Sequence, residues 1–368
     1  MRKEATLKEW KRLYDLGLKF IEARPWEMLD NLEYVCIRFA PEDEAYFTIM
    51  GNGGMEYGFG MYIGEFAFRE MNLNISSSDY DNGRSGYGLY LQNCITMFMD
   101  PETEIPEEQM DIIRKLGLDF GKGRNWVYFE NHARGYAPYI PDQADVKQTI
   151  RFLEQLVKAI PLIGQMKPRG LHIPDQGFIF EKDGPEWKLG LLTFNTAEMC
   201  RLPIALISDE KELKDTVSKW KKLDSSWELD IVFMRSLIDD EKYDRPLAPH
   251  MLLIMDHETG APVYQDLLEP ECGSAQLCQQ ISAVMAEYGR PKEIIVPGPV
   301  MKEILSVLDT SGQVPVRIAK LRHLDRFASE MLEKMNSASP MLDMINMMGL
   351  DEEEVNSMLE MMGASSVD

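Results

Sequence analysis

The stretch Tyr46–Gly64, YFTIMGNGGMEYGFGMYIG, holds six glycines, and its reading decides the fold of the first half of the chain. A phosphate-cradling loop places its glycines between a strand and a helix, so that the helix N-terminus faces the anion. Here the residues after the GNGG run alternate. Tyr57, Phe59, Met61 and Ile63 fall on one side, and Gly58, Gly60, Tyr62 and Gly64 on the other. That is the period of a strand. The Lys-Ser/Thr pair of a phosphate loop is missing as well. Gly51 to Gly54 therefore close a hairpin, at positions where Gly and Asn tolerate positive φ. Gly58 and Gly60 leave one face of the second strand almost bare, and a helix is expected to pack there.

Working outward, Thr6 and Glu9 form a capping box ahead of an apolar helical face of Leu7, Trp10, Leu13, Tyr14 and Leu18. Strands are expected at Glu33–Ala40, Tyr46–Met50, Tyr87–Met99 and in RNWVYFENH, and helices in GEFAFREMNLNI, PEEQMDIIRKLG and PDQADVKQTIRFLEQLVKAI. The mixture lacks βαβ regularity, so residues 1–163 read as an α+β domain with a mainly antiparallel sheet. Residues 164–226 read as a connecting hairpin, turning at Asp183–Gly184, and a charged helix. From Trp227 the pattern changes. Trp227–Ile238, His250–Asp256 and Ala261–Glu269 read as three strands, followed by helix, strand, helix, strand and helix. That succession is the order of a ribonuclease-H-like α/β domain over 227–336. Residues 337–368 form a short helical, acidic tail carrying Met344, Met347, Met348, Met358, Met361 and Met362.

The net charge is −22, spread as −8 over 1–160, −7 over 161–336 and −7 over the tail. No segment is basic, so nucleic-acid binding is disfavoured. Five dispersed cysteines show no zinc spacing and read as reduced thiols of a cytoplasmic protein. No signal-peptide pattern and no long apolar run are present, so no membrane segment is expected.

Ribonuclease-H-like nucleases hold two metal ions with carboxylates on the first strand, at the end of the fourth, and on the last helix. Asp230 has the first position and Glu330 the third. Pro297 stands where the second acid belongs, and Asp256 is the available substitute, though it also suits the start of a turn. A metal-dependent nuclease or phosphotransfer enzyme using Asp230, Asp256 and Glu330 is thus the alternative to a non-catalytic binding or regulatory protein. The five histidines show no metal-ligand spacing, and His250 and His257 lie at opposite ends of one expected strand. No metal site and no cofactor are expected. Trp126, His132, Arg134, Tyr136 and Tyr139 stand in the densest aromatic and cationic block of the chain. Such a block binds an anionic or planar ligand, or staples elements together. The methionines of the tail suit a flexible contact with a protein partner, or dock on the body.

MGNGGMEYGFGMYIG, NWVYFENHARGYAPYIPD and the later WELDIVFM, LLIMDHETGAPV and YGRPKEIIV resemble an uncharacterised bacterial two-domain family. Its members pair two domains of unknown function and sometimes carry plasmid Orf-3-like or SEC-C modules. The resemblance implies domains over about 1–160 and 225–335 and a bacterial cytoplasmic origin, and it implies no activity.

Overall fold

In the computed structural model, residues 2–76, 91–123, 125–167, 176–204, 210–234, 236–310 and 314–334 are described. The fold is mixed α/β with two sheets. Among the described residues no helix is long and apolar enough to cross a membrane.

The first sheet is built from β1 (Val35–Ala40), β2 (Asp43–Met50), β3 (Tyr57–Ile63), β4 (Cys94–Asp100), β5 (Trp126–His132), β6 (Gln176–Asp183) and β7 (Glu186–Thr193). Its order is β5-β4-β3-β2-β1-β6-β7. All neighbours are antiparallel except β1 and β6. The GNGG run closes the β2–β3 hairpin, with the Gly54 N–H donating to the Gly51 carbonyl at 3.0 Å. The hairpin read from sequence as a connector is β6–β7, and it extends this sheet instead. The strand expected from Tyr87 begins at Cys94, and residues 77–90 lie outside the described part.

A helix does lie on the face of Gly58 and Gly60, where residues of Gly64–Ser76 pack on Tyr46 and Tyr62, but the nearest atoms at the two glycines come from strands. A Cβ on Gly58, whose φ is 152°, would sit 1.8 Å from the Met97 carbonyl oxygen of the adjacent strand. Over Gly60 the Tyr62 ring folds back along its own strand, its hydroxyl 3.3 Å from where a Cβ would be. The bare positions themselves serve close backbone approach and a tyrosine ring, and the helix packs further along the same face.

Helices α1 (Leu7–Ala23) and α4 (Gln143–Met166) cover one face of the sheet. Both open with capping boxes, Thr6 with Glu9 and Asp142 with Asp145. Trp10, Leu13 and Phe20 of α1 and Phe152, Leu156 and Ile160 of α4 bury against Phe47, Phe59, Met97 and Phe129. Helix α3 (Glu107–Leu116) ends at Gly117 in the left-handed conformation and packs on α1. On the other face lies α2 (Gly64–Ser76), where Phe68 stacks on Tyr46 at 4.1 Å and Asn72 accepts from the Tyr34 hydroxyl at 3.0 Å.

The second sheet comprises β8 (Trp227–Phe233), β9 (His250–Asp256), β10 (Pro262–Leu267), β11 (Ile294–Val296) and β12 (Val316–Ile318), in the order β10-β9-β8-β11-β12. β9 runs antiparallel to both its neighbours, while β8, β11 and β12 are parallel. After the short helices α5 (Thr196–Met199) and α6 (Glu210–Ser218) come α7 (Ser274–Tyr288), α8 (Pro299–Ile304) and α9 (Ser306–Thr310). The last two replace one continuous expected helix, which breaks at Leu305. Leu277, Ile281, Met301, Ile304 and Leu308 of this set bury against Leu229, Ile231, Leu252 and Ile254. Helix α10 (322–334) buries Leu324, Ala328 and Leu332 against Val232, Leu253, Met255 and Ile295 on the opposite face.

Helix α2 belongs to both halves. Its Phe68 and Met71 join the first sheet, and its Leu73 joins the core around α7 and α8.

Candidate functional site

The alternation of β8 sorts its side chains. Trp227, Leu229 and Ile231 face α7, whereas Glu228, Asp230 and Val232 lie on the other side. Asp230 is directly opposite Leu253 and shares its α10-covered face. It is buried, and its Oδ1 accepts the N–H of Ile231 at 2.8 Å. Asp256 is opposite Trp227 and so points to the other face, three positions along the strand. Its Oδ1 accepts from the Thr259 N–H at 2.8 Å, the Thr259 hydroxyl at 2.8 Å and the Glu258 N–H at 3.1 Å. Burial works against its charge, but these donors outweigh it and hold the carboxyl below the usual range. Asp256 thus closes the turn that sequence already allowed it. Glu330 lies on the exposed side of α10, with a weak approach to Arg326 at 3.9 Å. The structure does not bring Asp230, Asp256 and Glu330 together. Among the described residues no three His, Cys, Asp or Glu side chains form a group suited to a metal.

The aromatic block is dispersed too. Trp126 and His132 end β5 six residues apart, roughly 20 Å along a strand. Trp126 donates Nε1–H to the Gly121 carbonyl at 2.9 Å and meets Phe120 edge-on. Tyr139 lies under Arg2 at 4.6 Å. His132 is buried, with Nε2 3.0 Å from the Thr96 hydroxyl and Nδ1 without a protein partner. Burial pulls its pKa down to about 4.

Arg134 and Tyr136 instead join the two halves. The Arg134 guanidinium pairs with Glu70 of α2, and the second oxygen of Glu70 accepts from the Ser274 hydroxyl of α7 at 2.8 Å. The Arg134 carbonyl accepts the Glu271 N–H at 3.1 Å, the Gly135 carbonyl that of Ala248 at 2.9 Å, and the Pro246 carbonyl that of Ala137 at 3.0 Å. Tyr136 packs edge-on against Tyr243, with Arg245 5.4 Å from its ring. The six methionines of the tail lie outside the described residues.

One constellation escaped the sequence reading. Glu228 of β8 has no exposed surface. One of its oxygens faces His257 Nδ1 at 2.6 Å, and the other accepts the N–H groups of His323 at 2.9 Å and Leu324 at 2.8 Å in the first turn of α10. The His257 and His323 rings stand 6.3 Å apart at 78°. They are 66 positions apart in the chain, so no local spacing announces them. The only traces are the HETG turn and a histidine at the opening of the last helix.

Two matches stand beside this geometry. Residues 10–180 match a family model described as Domain of unknown function (DUF7309), and residues 213–332 one described as Domain of unknown function (DUF6930). The two matches lie in tandem along the chain. Comparison with curated proteins gave no match. Among solved structures, a chain in the crystal structure of a pre-cleavage Mos1 transpososome is 10% identical and covers 60% of this chain and 70% of that one. Its TM-score is 0.16, too low to carry an argument about fold or function.

Proposed function

We propose that the protein is a non-catalytic cytoplasmic binding or regulatory protein whose second half has a ribonuclease-H-like strand order without a working two-metal centre. The order β10-β9-β8-β11-β12, with only β9 reversed, supports the first part of this reading. The divergence of the three carboxylates carries the second: Asp230 and Asp256 point to opposite faces and Glu330 to solvent. Pro297, immediately after β11, offers no oxygen ligand from its side chain. The net charge of −22 weighs against a phosphodiester substrate. In this reading the Met-rich tail is the arm that meets a protein partner.

Calorimetric titration with Mg²⁺ or Mn²⁺ tests the proposal, with Asp230→Ala as the control. No site-specific heat is expected from either protein. Tight binding abolished by the substitution overturns the reading in favour of a metal-dependent enzyme. Deleting 337–368 is expected to leave the thermal transition of the body nearly unchanged, and a collapsed melting point makes the tail part of the core.

A further inference from the structure

We propose that His257 and His323 together hold one divalent transition-metal ion of the zinc, nickel or copper(II) class, where β9 turns toward β10 and α10 begins. The site is independent of the two-metal question at Asp230, because it uses other side chains and another class of ion.

The first support is the tautomer of His257. A buried carboxylate is an acceptor, and Glu228 already takes two backbone N–H groups on one oxygen. The 2.6 Å contact on its other oxygen therefore places the proton on His257 Nδ1. Nε2 stands on the side of the ring away from Glu228 and is the nitrogen left for an ion. A carboxylate behind an imidazole is the arrangement that fixes metal-binding histidines, since it sets the ring orientation and raises the basicity of the ligating nitrogen.

Distance is the second support. Metal–imidazole bonds are about 2.0–2.1 Å, so two rings on one ion hold their centres roughly 5 Å apart at a tetrahedral angle and roughly 6.4 Å when trans to each other. The observed 6.3 Å matches a nearly trans pair, the geometry of a square-planar or octahedral ion. Gly260 makes the approach possible: its φ is 70°, and a Cβ there would lie 2.6 Å from His323 Nδ1. Both rings are partly exposed, which gives an ion an entry path.

Donor type selects the ligand. Asp256 and Glu258 flank His257 in the turn and Glu293 acts on His257 through space, while Lys320 and Arg322 stand beside His323, so charge is mixed at this corner. Imidazole donors favour zinc, nickel and copper over magnesium or calcium. Two protein ligands leave the remaining positions to water.

The experiment is calorimetric titration of the metal-stripped full chain with Zn²⁺ in a non-chelating buffer near neutral pH. One ion per chain is expected. His257→Ala and His323→Ala should each weaken binding at least tenfold. Glu228→Gln, which leaves both ligands in place, should weaken it about tenfold. Ni²⁺ should show the same dependence and Mg²⁺ no binding. His257→Gln keeps a donor toward Glu228, so it reports on ligation if an alanine variant folds poorly. Cys272→Ser and Cys200→Ser should change nothing. Absence of zinc binding, or binding that survives the histidine substitutions, overturns the proposal.

Discussion

Glu70 and Glu228 are both carboxylates without exposed surface, and each is satisfied in a different way. Glu70 is answered by the permanent charge of Arg134 and by the Ser274 hydroxyl. Its partners come from both halves of the chain. Glu228 is answered by the first turn of α10 and by His257, whose side chain is partly exposed. A helix N-terminus supplies about half a positive charge. The first arrangement is a sealed joint. The second spends only one nitrogen of the imidazole on the carboxylate and leaves the other for chemistry.

The largest expected effect comes from breaking the sealed joint. Arg134→Met removes the countercharge and leaves Glu70 buried with the Ser274 hydroxyl as its remaining partner among the described residues. Removing one partner of a buried pair costs about 3–5 kcal/mol. Urea unfolding followed by tryptophan fluorescence and by circular dichroism should show this loss and also non-coincident transitions, because the joint couples the two halves. A coincident transition with little change would mean that the core around Leu73 alone holds them together.

The histidines repeat the contrast. His257 has a carboxylate in hydrogen-bond contact, whereas the carboxylate nearest His132, that of Glu130, stands 3.8 Å away, and burial pulls the His132 pKa from 6.5 to about 4. A group whose folded pKa is depressed in this direction binds its proton more tightly when unfolded. Its penalty is therefore absent above the unfolded value and grows as the pH falls from about 6.5 to about 4. Over that window it reaches about 3 kcal/mol. The stability difference between the native protein and His132→Gln should shift toward the variant by that amount across the window. A pH-independent difference would place the protonated ring in the folded state.

Glu228→Gln probes the open arrangement more gently. The amide keeps an acceptor for the α10 N–H groups but gives up the charge. A loss of about 1–2 kcal/mol is expected in thermal or urea unfolding, smaller than at Arg134 because no charge is stranded. A loss as large as that of Arg134→Met would mean that α10 depends on the full negative charge, and the two carboxylates would cease to differ.

Much of this was legible because it is encoded locally. GNGG announces its hairpin, Thr6 with Glu9 opens α1, and Gly117 ends α3 within a few residues of the signals that specify them. The cover over Gly60, the parallel pairing of β1 with β6 and the meeting of His257 with His323 were not legible. Each depends on which distant segment arrives at a surface, and alternation within one strand carries no such address. The aromatic block shows the same limit. Its composition marks a place of many contacts, but the partners of Arg134 and Tyr136 come from Glu70 and from 243–248, which only the assembled fold supplies.

The smallest effect is expected at the remaining carboxylate, Glu330. Its side chain is 62% exposed and stands 3.9 Å from an equally exposed Arg326. Exposed pairs of this kind contribute about 0–1 kcal/mol and are screened by salt. Glu330→Gln should therefore change stability by less than about 0.5 kcal/mol and leave both the Mn²⁺ and the Zn²⁺ titrations as they were. The comparison gains its lower bound from this variant, since Glu330 differs from Glu70 and Glu228 mainly in burial. If Glu330→Gln abolished Mn²⁺ binding instead, α10 would have to turn its outer face toward Asp230. Leu324, Ala328 and Leu332 would then leave their packing against Val232 and Leu253, and the helix turn that caps Glu228 and carries His323 would move with them. A single conservative change on the surface would then count against both the non-catalytic reading and the histidine site.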